Sequence, residues 1–119
     1  THNSAHFSIE ACSSSQFDQY VCISSGIKPP EIKMNSQGSL MINLLGLSKK
    51  FPLPIKKRLE LLSQIRGSNL HWYGKSKESV GRKMAHITFL LNEDNQSKRV
   101  EKSKEILNKV KEIWPSPND

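Results

Sequence analysis

The stretch Tyr73-Gly74-Lys75-Ser76-Lys77-Glu78-Ser79-Val80-Gly81-Arg82-Lys83 gathers four cations between and beside two glycines. That composition suits a phosphate. Glycines let an anion approach backbone amides, lysine offers a point charge, and arginine offers a planar two-pronged donor. The bland alternative is a solvated hairpin tip with scattered charges. A nucleotide P-loop is disfavoured, because that motif ends a glycine-rich loop with Gly-Lys-Ser/Thr and opens a helix, whereas the flanks here read as strands. A second group, His2-Asn3-Ser4 with His6, offers amide, hydroxyl and imidazole groups able to hydrogen-bond a sugar or heterocycle. Its alternative is a frayed tail.

His71 and His86 each fall within a predicted strand. They read as structural groups, because no acidic residue joins them at metal-site spacing. Cys12 and Cys22 form no CxxC pair and have no histidine at ligand spacing, so they are expected to be buried free thiols of a reducing, cytoplasmic compartment. There is no nucleophile elbow and no GxGxxG after a strand. Neither a catalytic residue nor a metal ligand is therefore expected in this chain, which by itself is predicted inactive.

The elements that must position these residues follow from periodicity. Ser13 to Ser25 carries Phe17, Tyr20 and Val21 at helical spacing, behind capping serines and before Gly26. Lys28-Pro29-Pro30 through Gly38 reads as a linker. Leu40 to Leu45 reads as a buried strand ending at Gly46. Pro54 opens a helix through Ile55, Leu59, Leu62 and Ile65 to Gly67, with Lys56, Lys57 and Arg58 assigned to its wet side. Asn69 to Gly74 and Arg82 to Leu91 are predicted strands paired as a hairpin around the basic loop. Val100, Ile106, Leu107, Val110, Ile113 and Trp114 mark the apolar face of a last helix, which Pro115 and Pro117 end.

The chain has 119 residues and is 35% hydrophobic, enough for one modest core and not for a multidomain enzyme. Its 18 Lys and Arg against 11 Asp and Glu give a net charge of +7, which favours an anionic partner. The longest apolar run, Leu40 to Leu47, is far short of the roughly 20 residues of a membrane span. Thr1 stands where an initiator Met is usual, so processing or excision from a longer sequence is expected.

Taken together, His2-Asn3-Ser4-Ala5-His6-Phe7, Ser15-Gln16-Phe17, Met41-Ile42-Asn43-Leu44-Leu45-Gly46, Leu70-His71-Trp72-Tyr73-Gly74-Lys75 and Gly81-Arg82-Lys83-Met84-Ala85-His86 closely resemble, in order, the end of the PurK family. These are the ATP-grasp enzymes named 5-(carboxyamino)imidazole ribonucleotide synthase, which carboxylate 5-aminoimidazole ribonucleotide with ATP and bicarbonate in purine synthesis. The resemblance covers about residues 1–90. It implies an α+β chain whose residues 1–27 end an ATP-grasp domain with a strand and a helix, whose residues 28–37 are a linker, and whose residues 38–119 form a small β-rich C-terminal domain with packed helices.

The resemblance further implies that His2, Asn3 and Ser4 face the substrate's ribonucleotide portion and that Lys75 and Arg82 hold its 5′-phosphate. ATP and magnesium belong to the whole enzyme, whose binding residues lie upstream of Thr1, so this chain alone is expected to bind neither. Its partners are then the ribonucleotide, the missing N-terminal part and, for the whole enzyme, a second copy in a homodimer. Glycine is usual in the family where Ala5 and Ala85 stand, which raises the expectation of backbone strain there. Two other readings stay open: a basic nucleic-acid-binding module using Trp72 and Tyr73, and a non-catalytic regulatory or interaction domain derived from the enzyme.

Overall fold

The computed structural model describes residues 2–118. Thr1 and Asp119, the outer limits of the first and last expected segments, lie outside the described residues. Three strands, β1 (Gly38–Leu45), β2 (Asn69–Trp72) and β3 (Lys83–Leu91), form one sheet in the order β1-β3-β2, with both neighbouring pairs antiparallel. The first two strands therefore run parallel to each other with β3 between them, and α3 (Ile55–Ser63) makes the crossover that parallel strands require. The strand pairing around the basic loop follows the sequence pattern.

One face of the sheet is apolar. Cross-strand neighbours Ile42, Ile87 and Leu70 share it, as do Leu44 and Ala85, since directly opposed residues point to one side. Against this face pack α3 through Leu59 and Leu62, and α4 (Gln96–Ile113) through Ile106 and Val110. Asn95 caps the last helix by accepting from the Lys98 amide, and Trp114 just beyond its end donates its indole N–H to the Leu45 carbonyl at 2.7 Å. Leu44, Leu62, Met84, Ile87 and Phe89 are among the fully buried side chains of this core.

The opposite face carries a polar row, Asn43, His86 and His71, in direct register. An N-terminal arm lies over it. A single 3-10 turn at Asn3–Ala5 leads into the short α1 (Ser8–Ala11), and then into α2 (Gln16–Ser24), which is closed by a capping box between Ser15 and Asp18. The expected strand within residues 1–27 is not there: among the described residues that segment is helical, apart from an isolated bridge from Cys12 to Met34. Serines and an early capping signal commit the backbone there to turns and a helix start.

Residues 28–37 are irregular, and the Ser13 amide donates to Lys33 O at 2.7 Å and the Asn35 amide to Ala11 O at 2.7 Å. Two further expectations need correction. Arg58, assigned to the wet side of its helix, is 2% exposed; a guanidinium can be buried when every donor finds a partner. Cys22 is half-buried rather than buried, whereas Cys12 is buried, and both are free thiols. No helix among the described residues is long and apolar enough to cross a membrane.

Candidate functional site

Asn3 enters the site because the 3-10 turn is fixed at both ends. His2 caps it by accepting from the Ser4 amide at 3.1 Å, and His2 Nδ1 lies 2.8 Å from Ser4 Oγ. Gln16 of α2 then grips the turn: its Oε1 accepts from the His2 amide at 2.9 Å, while its Nε2 donates to His2 O at 3.0 Å and to His6 Nδ1 at 2.7 Å. The run read as a frayed tail or a ligand-facing group is therefore ordered against the sheet. Asn3 Nδ2 donates to Asn43 Oδ1 at 2.7 Å.

The other half of Asn3 meets Tyr73. The phenol oxygen lies 3.2 Å from Asn3 Oδ1 and 2.8 Å from His86 Nδ1. A phenol has one proton, so both contacts are satisfied when it donates to Asn3 while His86 Nδ1–H donates to it. Buried, and beside His71 and His6, the His86 imidazole is pushed down to about 4 and stays neutral near pH 7. His6 is lowered for the same reason, first by burial and then by His71, Lys83 and His2. Burial also raises the Tyr73 hydroxyl. The His71 ring stacks on His86 with centroids 4.6 Å apart, and its Nε2 contacts Glu10 Oε1 of α1. His71 thus ties the arm to the sheet through Glu10, and His86 does so through Tyr73 and Asn3.

At the basic loop, Gly74 and Gly81 have φ of 71° and 81°, the left-handed backbone that favours glycine. Open space surrounds both positions, so their role is to turn the chain rather than to admit a close neighbour. Lys75 lies 5.5 Å from the Tyr73 ring centre and donates its ammonium to Lys83 O. Arg82 is exposed and donates Nη1 to Lys77 O at 3.2 Å. The tertiary structure links Lys75 through Tyr73 to Asn3. Among the described residues, no hydrogen bond or ion pair joins Arg82 to His2, Asn3 or Ser4.

The base of this loop is zipped to the end of β1. The Gly46 amide donates to Arg82 O at 2.7 Å and the Gly81 amide to Gly46 O at 2.9 Å. Gly46 is the glycine needed for close approach, because a Cβ there would stand 2.0 Å from Ser79 O. Glu78 reaches back to form a two-pronged pair with Arg58 at 3.0 and 2.7 Å, and also accepts from the Leu47 amide at 2.8 Å. Burial raises the Glu78 carboxyl, but the bonds from Arg58 and Leu47 and the guanidinium charge outweigh it and hold the group below its usual range. Sequence reading missed Tyr73, Asn43, Gln16, Arg58 and Glu78 as site builders. Only the alternation that puts Asn43 and His86 on one face carried a signal for any of them.

Residues 39–100 match the family model for the phosphoribosylaminoimidazole carboxylase C-terminal domain. The chain belongs to this family. It is 35% identical over 118 residues to N5-carboxyaminoimidazole ribonucleotide synthase of Synechococcus elongatus, covering 99% of this chain and 30% of that protein. Among solved structures, N5-carboxyaminoimidazole synthetase from Staphylococcus aureus is 38% identical with a TM-score of 0.64, over 87% of this chain and 27% of that one. N5-carboxyaminoimidazole synthase from Aspergillus clavatus, in complex with ADP and 5-aminoimidazole ribonucleotide, is 26% identical with a TM-score of 0.72, over 92% of this chain and 29% of that one. The chain thus spans less than a third of the length of these relatives. The strain expected at the family's glycine positions is absent, because no non-glycine residue described has positive φ and Ala85 packs fully buried opposite Leu44.

Proposed function

We propose that this chain is the part of a longer ATP-dependent carboxylating enzyme that holds 5-aminoimidazole ribonucleotide while its amine is carboxylated. The observation that supports the reading is the connection from Lys75 of the basic loop through Tyr73 to Asn3, which brings one cation of that loop to an ordered amide-rich turn. Lys75 and Arg82 hold the 5′-phosphate, each through charge-assisted hydrogen bonds worth roughly 1.5–3 kcal/mol. His2, Asn3 and Ser4 face the ribonucleotide portion. Binding energy taken from the phosphate keeps the distant amine in place for attack.

Residues 1–27 then end the ATP-grasp domain, residues 28–37 connect, and residues 38–119 form the C-terminal domain. ATP and magnesium are held by residues of the longer enzyme, and the whole enzyme works as a homodimer in the cytoplasm. The test compares the complete enzyme with this chain. The complete enzyme hydrolyses ATP in a bicarbonate-dependent manner when the ribonucleotide is present, and this chain alone does not; turnover by the chain alone would overturn the reading.

A further inference from the structure

We infer that Glu78, locked by Arg58, is a positioning residue for the basic loop, setting the separation and direction of Lys75 and Arg82 before the phosphate arrives. The inference rests on the phosphate reading of that loop. Glu78 lies within the loop, three residues after Lys75 and four before Arg82. Its carboxylate makes three hydrogen bonds, two from Arg58 and one from the Leu47 amide, at 2.7 to 3.0 Å. Arg58 is itself fixed: its Nε donates to Leu53 O at 3.0 Å, and its guanidinium lies 4.2 Å from the Trp114 ring centre and 5.5 Å from that of Phe51. The anchor therefore belongs to the core, and Glu78 transmits that rigidity to an otherwise exposed loop.

A purely structural role explains this arrangement poorly. A buried ion pair is a weak source of stability, since an apolar side chain of similar volume fills such a site as well. What an apolar side chain cannot do is hold a loop carboxylate at a fixed point. The tether works beside the backbone zipper at Gly46, so residues 78–82 follow one path. Lys75 and Arg82 donate to the carbonyls of Lys83 and Lys77, and a phosphate takes over those donors without disturbing that path. Ordering a loop on binding costs affinity, and a loop ordered in advance avoids that cost.

The test is steady-state kinetics of the complete enzyme with saturating ATP and bicarbonate. Glu78→Gln is expected to raise KM for 5-aminoimidazole ribonucleotide about tenfold, with kcat changed less than about twofold and KM for ATP unchanged. Because Glu78→Gln leaves Arg58 buried without its partner, the double variant Arg58→Met with Glu78→Gln is measured beside it. That pair is expected to recover thermal stability but keep the raised KM. Recovery of KM together with stability would reduce the pair to a fold support and overturn the inference. So would an unchanged KM in both variants while Lys75→Ala and Arg82→Ala raise it. If neither Lys75→Ala nor Arg82→Ala alters KM, the phosphate reading of the loop fails first, and the inference with it.

Discussion

Tyr73 gives its one phenolic proton to Asn3 and accepts from His86 Nδ1–H, and burial shifts the titration of both Tyr73 and His86. Tyr73→Phe removes both contacts and leaves Asn3 Oδ1 and His86 Nδ1 without that partner. A loss of about 1–3 kcal/mol in stability is expected, read by denaturant unfolding, because buried polar groups are left unpaired. His86 makes the fold sensitive to acid. Its folded value of about 4 lies below the ordinary 6.5, so the unfolded chain binds the extra proton first. Stability is fully present above about pH 6.5 and falls as the pH drops toward 4, by on the order of 3 kcal/mol in all. His6 acts in the same direction. In His86→Gln, the fall in unfolding free energy over that window is expected to be smaller than in the parent chain; an identical fall would show that His86 is not responsible. At the loop, Arg82→Ala is expected to raise KM for the ribonucleotide roughly ten- to hundredfold, the loss of one charge-assisted contact.

Among the elements, β1 does most to place the site. Its side chains alternate between core and polar row, so Leu44 packs inside while Asn43 meets Asn3. The pairing with β3 slips between Leu44 and Leu45, so that Leu45 opposes Lys83 rather than Met84. A bulge of this kind bends and twists the strands where a site needs it. Gly46 follows directly, and only the absence of a Cβ allows Ser79 O to approach. Gly46→Ala forces that carbonyl away and breaks the zipper to residues 81 and 82. A destabilisation of about 2–3 kcal/mol is expected by thermal or denaturant unfolding, as for other overpacked buried positions.

At the scale of the whole molecule, the N-terminal arm leaves the shape extended. The radius of gyration is 15.9 Å, against about 13.5 Å for a compact domain of this length. No residue of α2 is buried, and Tyr20, Val21 and Ile23 are each more than half exposed. Tyr20, Ile23 and Ile32 line an open apolar hollow of about 420 Å³ with Gln16 and Gln19. An apolar patch of this kind marks a surface that associates. The isolated chain is therefore expected to self-associate with rising concentration in sedimentation experiments. Val21→Glu with Ile23→Glu should suppress that association without lowering the unfolding midpoint, since neither side chain supports the core.

Local order was legible in the sequence because it depends on local chemistry. Periodicity placed α3, β1 and α4, capping serines placed α2, and the glycines around the basic loop marked the turn between β2 and β3. The loop's cations and the His2-Asn3-Ser4 run were also visible as residue types suited to a phosphate and a sugar. What joined those two groups was decided only by the tertiary structure. Asn3, Tyr73 and His86 are far apart in the chain and meet through strand register and the docking of the arm. Arg58 looked solvated because a helix pattern assigns a charge to water by default. It is buried because Glu78, twenty residues later, returns to it, and no local rule carries that contact.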